Sequence, residues 1–135
     1  METATNIIEL ACWISFALAI GAIEGVFFHL AKPEKIDAFN AYYGDIHGYL
    51  NIVRAVVMFG IVAPPLYLTA VLVFPLLHDG AYYIIRNELN PKIYKKRFRT
   101  VGALGTTAKV SFTYRQRLIF AGIGTAVAII YLTII

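Results

Sequence analysis

The sequence predicts an all-α integral membrane protein, built as a bundle of four transmembrane helices. Of its 135 residues, 59% are hydrophobic and only 15% are charged, whereas about a quarter of the residues in an average soluble domain are charged. The apolar residues form continuous runs close to the roughly 20 residues that cross a bilayer. Membrane β-barrel strands alternate in polarity instead. The runs fill most of the chain, so we expect a single transmembrane domain over residues 1–135.

The first span is predicted over residues 6–31. It is too long for a cleavable signal peptide, and no Lys or Arg precedes it, so we expect it to be retained as a helix. Pro33 ends the span, because proline disfavours helical geometry at the residue before it. Residues 32–45 then form a first loop, and aromatic residues such as Tyr42 and Tyr43 are typical of the headgroup region.

The second and third spans are predicted over residues 46–63 and 65–86, on either side of the pair Pro64-Pro65. One continuous helix over both would measure about 60 Å, about twice the hydrocarbon thickness. This length favours a tight turn at the prolines, and a single kinked helix is the alternative. A polar loop over residues 87–113 leads to the fourth span, over residues 114–135.

The basic residues predict an orientation, because Lys and Arg concentrate in cytoplasmic loops. With four spans, both basic loops lie on the same side, so we expect them to be cytoplasmic and both termini to be outside. A bacterial inner membrane is the expected location. The basic loops suit contact with membrane lipids, and we expect no nucleic acid partner. The basic residues in or beside the loops are Lys32, Lys35, Lys92, Lys95, Lys96, Arg97, Arg99, Lys109, Arg115 and Arg117.

Ionisable residues interrupt three of the spans. A charge at the centre of a membrane helix costs about 2.5–3.5 kcal/mol on insertion scales, so such residues usually face the bundle interior and pair. Counting inwards from the cytoplasmic ends places Glu24, Arg54, His78 and Asp79 about 12–14 Å below the same boundary. We therefore predict that these four residues form an intramembrane site in the cytoplasmic half, with catalytic roles in an enzyme.

Helical phase adds neighbours to this predicted site. His47 and Asn51 share one face of the second span with Arg54, and Tyr83 and Arg86 share one face of the third span with Asp79. The predicted ligand-binding residues are therefore His47, Asn51, Tyr83 and Arg86. Phase also points His78 about 100° away from Asp79, so the two are not expected to aim at one point without distortion of the helix.

The predicted site lacks one positive charge, because Glu24 and Asp79 face only Arg54. A proton held by a carboxyl group, a protonated histidine or a bound cation would each restore the balance. His47, His78 and Asp79 are the candidate ligands of a divalent metal such as zinc, although no zinc motif with fixed local spacing is present. A haem held by two of the three histidines is a further, less favoured alternative.

Three classes of function follow from these features. The favoured one is a ligand-binding or metal-binding membrane enzyme that acts on a lipid-like substrate. The alternatives are an oligomeric transporter, channel or proton-relay subunit, and a non-catalytic complex subunit or pore-forming protein. Ala17, Gly21 and Gly25 form a small-residue stripe on the first span, which favours close packing within the bundle or in a homo-oligomer.

Overall fold

The computed structural model of the chain describes residues 2–31, 33–91 and 112–134, and these are helical almost throughout. Three stretches, Thr3–Leu30, Pro64–Leu89 and Tyr114–Ile134, are long and apolar enough to cross a membrane. The all-helical prediction is confirmed. The helices are α1 (Glu2–Leu30), α2 (Pro33–Tyr43), α3 (Ile46–Ile61), α4 (Tyr67–Leu89) and α5 (Tyr114–Ile134), with a short 3₁₀ helix, Pro64–Leu66, between α3 and α4.

Helix α3, the predicted second span, is shorter than expected. Its 16 residues extend about 24 Å, less than the roughly 30 Å of a typical hydrocarbon core. Two stretches that were expected to be loops are helical. Helix α2 lies within the expected first loop, residues 32–45, and α4 continues to Leu89, so residues 87–89 are helical. Lys32 and the basic residues from Lys92 to Lys109 lie outside the described residues, and so does most of the expected loop over residues 87–113.

Local sequence signals explain where the helices begin. Pro33 occupies the first position of α2, where its missing N–H is not needed. The Asp45 side chain caps α3 by accepting a hydrogen bond from the His47 backbone N–H at 3.0 Å. Thr113, which precedes α5, and Gln116, in its first turn, exchange two backbone–side-chain hydrogen bonds of 2.8 and 3.2 Å, which is the capping-box arrangement.

The chain reverses at Pro64-Pro65, as predicted. Arg54 before the prolines and His78 after them both contact the carboxylate of Glu24, which one continuous helix does not allow. Glu9 also contributes, because its carboxylate accepts a hydrogen bond from the Ala63 backbone N–H at 2.8 Å. This contact ties the turn to the first half of α1.

Helix α4 packs between α1 and α5. Gly21 lies against His78, and Gly25 lies against Tyr82, so α1 and α4 run in the same direction. Gly124 lies against Thr69 on α4, and Arg117 contacts Asp79, so α5 runs in the opposite direction. The buried apolar core lies towards the proline turn and consists of Trp13, Met58, Val62, Leu66, Ala70 and Ala128.

The small-residue stripe of α1 packs inside the bundle. Ala17 is fully buried, and Gly21 and Gly25 both lie against the backbone of α4. The stripe therefore serves packing within the bundle, which was one of its two interpretations. A homo-oligomer formed through Ala17, Gly21 and Gly25 would first have to displace α4.

Candidate functional site

Five polar side chains from four helices form one connected set of contacts, which we call the charge network. Its members, in order of contact, are Arg54 on α3, Glu24 on α1, His78 and Asp79 on α4, and Arg117 on α5. The structure thus brings together all four residues of the predicted intramembrane site and adds a fifth.

Glu24 joins Arg54 to His78 within the charge network. Its Oε1 accepts a hydrogen bond from Arg54 Nε at 2.8 Å, and its Oε2 contacts Arg54 Nη2, so the pair is bidentate. Its side chain is only 5% exposed. A buried carboxylate loses its hydration, and here the paired guanidinium compensates for part of that loss. Arg54 is held in turn by Asn51, whose Oδ1 accepts a hydrogen bond from Arg54 Nη1 at 2.7 Å.

His78 lies between two carboxylates. Its Nε2 is 3.1 Å from Glu24 Oε2 on α1, and its Nδ1 is 2.9 Å from Asp79 Oδ1 on its own helix. The ring also stacks on Phe74, with the ring centroids 5.0 Å apart. Both nitrogens and one face of the imidazole are therefore engaged by neighbouring side chains.

His78 and Asp79 are in contact, although helical phase points the two side chains in different directions. Their directions do differ, since His78 reaches α1 while Asp79 reaches Arg117 on α5. They still meet because an imidazole carries nitrogens at two positions of its ring. With Nε2 on Glu24, Nδ1 comes within reach of the adjacent aspartate, and α4 remains helical through Gly80.

Arg117 is the member that the sequence did not reveal. It lies in the first turn of α5, its side chain is 3% exposed, and its Nε donates a hydrogen bond to Asp79 Oδ2 at 2.7 Å. The sequence pattern groups Arg117 with the basic residues in or beside the loops. One signal was available. The predicted site lacked one positive charge, and the fourth span was the only predicted span that contributed no residue to it, so Arg117 at the start of that span was the candidate.

With Arg117 included, the two arginines balance the two carboxylates. The missing charge therefore no longer requires a bound cation. Among the described residues, no group of three or more His, Cys, Asp or Glu side chains is arranged to hold a metal ion. The metal site expected from His47, His78 and Asp79 thus gains no support from the geometry.

The two contacts of His78 with carboxylates differ in what they need from its protonation. A neutral imidazole has one N–H donor and one bare nitrogen, and an ionised carboxylate can only accept. Both contacts are hydrogen bonds only if His78 is protonated on both nitrogens, or if Glu24 or Asp79 carries a proton that it donates to the bare nitrogen. With both hydrogen bonds formed, the charge network would hold one proton more than two ionised carboxylates and a neutral histidine do.

The predicted ligand-binding residues lie on the same helices as the charge network, and Asn51 contacts it directly. Asn51 belongs to its edge through Arg54. The ring of His47 stacks on Phe28, with centroids 5.0 Å apart and planes within 7°. Beyond Asp79 on α4, Tyr83 is buried, and the guanidinium of Arg86 lies 5.7 Å from the ring centre of Tyr82.

The described residues are all-helical, and three helices long and apolar enough to cross a membrane support a membrane protein. Comparisons with protein-family models, with curated proteins and with solved structures find no match. The geometry of the charge network is therefore the evidence for its function.

Proposed function

We propose that the protein is a membrane-embedded proton-relay subunit, in which the charge network takes up and releases one proton per chain. The observation that supports this proposal is the position of His78, with one nitrogen on Glu24 and the other on Asp79. An imidazole in this position accepts a proton at one nitrogen and releases another from the opposite nitrogen. Histidine and buried carboxylates are the usual groups of membrane proton relays.

The exposure of the two carboxylates gives the relay a direction. The Asp79 side chain is 26% exposed, whereas that of Glu24 is 5% exposed and bound by Arg54. Asp79 is thus the outer carboxylate, which exchanges protons with its surroundings, and Glu24 is the inner one. Because the two arginines already balance the carboxylates, the additional proton brings a net positive charge, which favours its release.

The core beyond the charge network supports a relay subunit over a self-contained channel. Trp13, Ala17, Leu66 and Ala70 are almost fully buried on the side towards the proline turn, and these four side chains cannot pass on a proton. The relay is therefore open to one side of the membrane. Transfer across the membrane requires a partner protein, a second copy or a rearrangement of the helices.

The expected orientation places the charge network in the cytoplasmic half of a bacterial inner membrane, with both termini outside. The parallel course of α1 and α4 supports this orientation, because it puts the ends of both helices at the same face. Lys35 follows the end of α1, and Arg115 lies in the first turn of α5, so both basic residues lie at that face. Lys and Arg concentrate on the cytoplasmic side.

An enzyme acting on a lipid-like substrate is less well supported than a relay. Both nitrogens of His78 are engaged, so neither is available as a general base for a substrate. Arg54 is bound to Glu24 and Asn51, and a lipid phosphate would have to displace one of them. The haem alternative remains a prediction from the sequence.

The additional proton can be tested by nitrogen NMR of the protein in lipid nanodiscs with ¹⁵N-labelled histidine. The chain has three histidines, and His78→Gln assigns the resonances of His78. We expect protons on both nitrogens at neutral pH, or else an infrared band of a protonated carboxyl group that Glu24→Gln or Asp79→Asn removes. A neutral His78 together with two ionised carboxylates would overturn the proposal.

Proton uptake during a pH titration is the functional measurement. We expect the wild-type protein to bind one proton more per chain than His78→Gln over the range in which the relay loads. His29→Gln is the matched control, because His29 lies in the last turn of α1 and is no member of the charge network. It should leave the proton uptake assigned to His78 in place, whereas loss of that uptake in His29→Gln would contradict a special role for His78.

A further inference from the structure

Gly21 is the point at which α1 approaches the backbone of His78. A Cβ atom built on Gly21 would lie 2.2 Å from the carbonyl oxygen of His78 and 3.1 Å from its Cα atom. Ordinary contacts begin at 3.4 Å. The clashing atoms belong to the backbone of a continuous helix, so no rotation of a side chain can relieve the clash. Only glycine permits the two helices to approach this closely here.

The position of this contact within the charge network gives it a functional meaning. Glu24 follows Gly21 by about one turn on the same face of α1. Its carboxylate bonds the side chain of His78, the residue whose backbone Gly21 contacts. The separation of the helices at Gly21 therefore sets the distance between Glu24 Oε2 and His78 Nε2, which is 3.1 Å.

We propose that Gly21 is a positioning residue of the proton relay, which holds His78 within hydrogen-bonding distance of Glu24. This inference rests on the proposed function of the charge network. Relief of a 2.2 Å contact requires α1 and α4 to separate by roughly 1 Å, and a donor–acceptor distance beyond about 3.5 Å is no longer a hydrogen bond. A single methyl group at this position is thus sufficient to break the link.

Asp79 and Arg117 lie on the opposite side of α4 from this contact and keep their hydrogen bond when α1 moves. Gly21→Ala should therefore separate His78 from Glu24 without separating α4 from α5. The relay then retains its outer carboxylate and loses its inner one. Proton exchange at His78 should change on the order of tenfold, the effect of losing one hydrogen bond to a charged group.

Two other glycines provide matched controls for the same Gly→Ala change. At Gly25 the added Cβ would lie 3.0 Å from the carbonyl oxygen of Tyr82, a milder clash between the same two helices. At Gly122, on α5, nothing lies within 4 Å. We expect the effect on His78 to be large for Gly21→Ala, small for Gly25→Ala and absent for Gly122→Ala.

The experiment compares the ¹⁵N spectrum of His78 and its proton exchange rate in the wild type and in these three variants, with circular dichroism as the measure of folding. The inference predicts that His78 in Gly21→Ala resembles His78 in Glu24→Gln. An unchanged His78 spectrum in folded Gly21→Ala would overturn it. If Gly21→Ala does not fold, the smaller change expected for Gly25→Ala decides, and a wild-type spectrum in that variant overturns the inference.

The outcomes also separate this inference from the proposed function. A wild-type protein that holds no additional proton overturns the relay itself. A wild-type protein that holds the proton, together with an unaffected Gly21→Ala variant, overturns only the role of Gly21.

Discussion

Glu24 and His78 are 54 positions apart in the sequence, and their side chains are joined by a 3.1 Å contact between Oε2 and Nε2. This contact links α1 to α4 and connects two ion pairs that would otherwise be separate. On one side Glu24 is bound by Arg54, and on the other His78 leads through Asp79 to Arg117. The four helices α1, α3, α4 and α5 are thus connected by one continuous set of charge contacts.

The first prediction concerns the ion pair between Glu24 and Arg54. Removing one partner of a buried pair costs about 3–5 kcal/mol, because the other charge is left without compensation. Glu24→Gln should therefore lower the free energy of unfolding by an amount near this range. The measurement is reversible unfolding in mixed micelles, with Glu34→Gln on exposed α2 as the control, which should remain close to the wild type.

The double variant Glu24→Gln/Arg54→Gln extends this test. Since it removes both charges, we expect it to be less destabilised than the sum of the two single variants, with a coupling of about 1–3 kcal/mol. Strict additivity would show that the bidentate contact is not formed in the membrane. If the double variant also keeps full proton uptake, the pair serves only the stability of the bundle.

Arg117 provides a second prediction with a close control. Arg117→Gln removes the charge bound to Asp79, and a hydrogen bond to a charged group contributes about 1.5–3 kcal/mol. Arg115→Gln also removes one positive charge, two positions earlier, where the side chain is exposed. We expect a loss of stability in that range for Arg117→Gln and almost none for Arg115→Gln. Equal losses in the two variants would contradict the assignment of Arg117 to the charge network.

The convergence of Glu24, Arg54 and His78 could be predicted from the sequence because two simple rules apply to membrane helices. Depth follows from the number of residues to the nearest boundary, and facing follows from helical phase. The turn at Pro64-Pro65 followed from length alone. These rules treat each helix as a straight rod that crosses the whole bilayer.

The rules fail where side-chain geometry decides the contact. The meeting of His78 with Asp79 depends on the two nitrogens of the imidazole, which a single direction for each residue does not represent. Arg117 was missed because its position near the end of a span resembled that of a loop residue, although its side chain is buried. The short α3 was also overestimated, since Val62 and Ala63 are apolar but lie beyond its last helical residue.

Packing between α4 and α5 gives a third prediction. A Cβ on Gly124 would lie 2.8 Å from Val73 Cγ2 and 3.2 Å from the carbonyl oxygen of Thr69. Gly124→Ala should therefore destabilise the bundle by about 1–3 kcal/mol, the usual effect of overpacking. Gly122→Ala, with nothing within 4 Å, should be neutral or slightly stabilising. Thermal unfolding in detergent distinguishes the two variants. A lower unfolding temperature for Gly122→Ala than for Gly124→Ala would contradict the packing of the Gly124 face of α5 against α4.

The last prediction concerns whether α3 crosses the membrane despite its 16 residues. The contact of Arg54 with buried Glu24 holds the middle of α3 against α1, which favours a crossing helix over one that lies on the surface. The two ends of α3 should then be accessible from opposite sides. Tyr42→Cys, on α2, should react with a membrane-impermeant maleimide from the cytoplasmic face, and Ala63→Cys from the outer face, each in a Cys12→Ala background.

A third position controls for reagent that enters the bilayer. Leu18→Cys lies near the middle of α1, exposed on the bundle surface, and should react from neither side of sealed vesicles. If Tyr42→Cys and Ala63→Cys react from the same side, α3 does not cross, and the chain has three spans with its termini on opposite sides. The basic loops would then no longer share one face, and the proposed cytoplasmic position of the charge network would be wrong. Reaction from opposite faces, with the intact charge network between them, is the result we expect, because Arg54 and Glu24 can pair at this depth only if α3 enters the membrane beside α1.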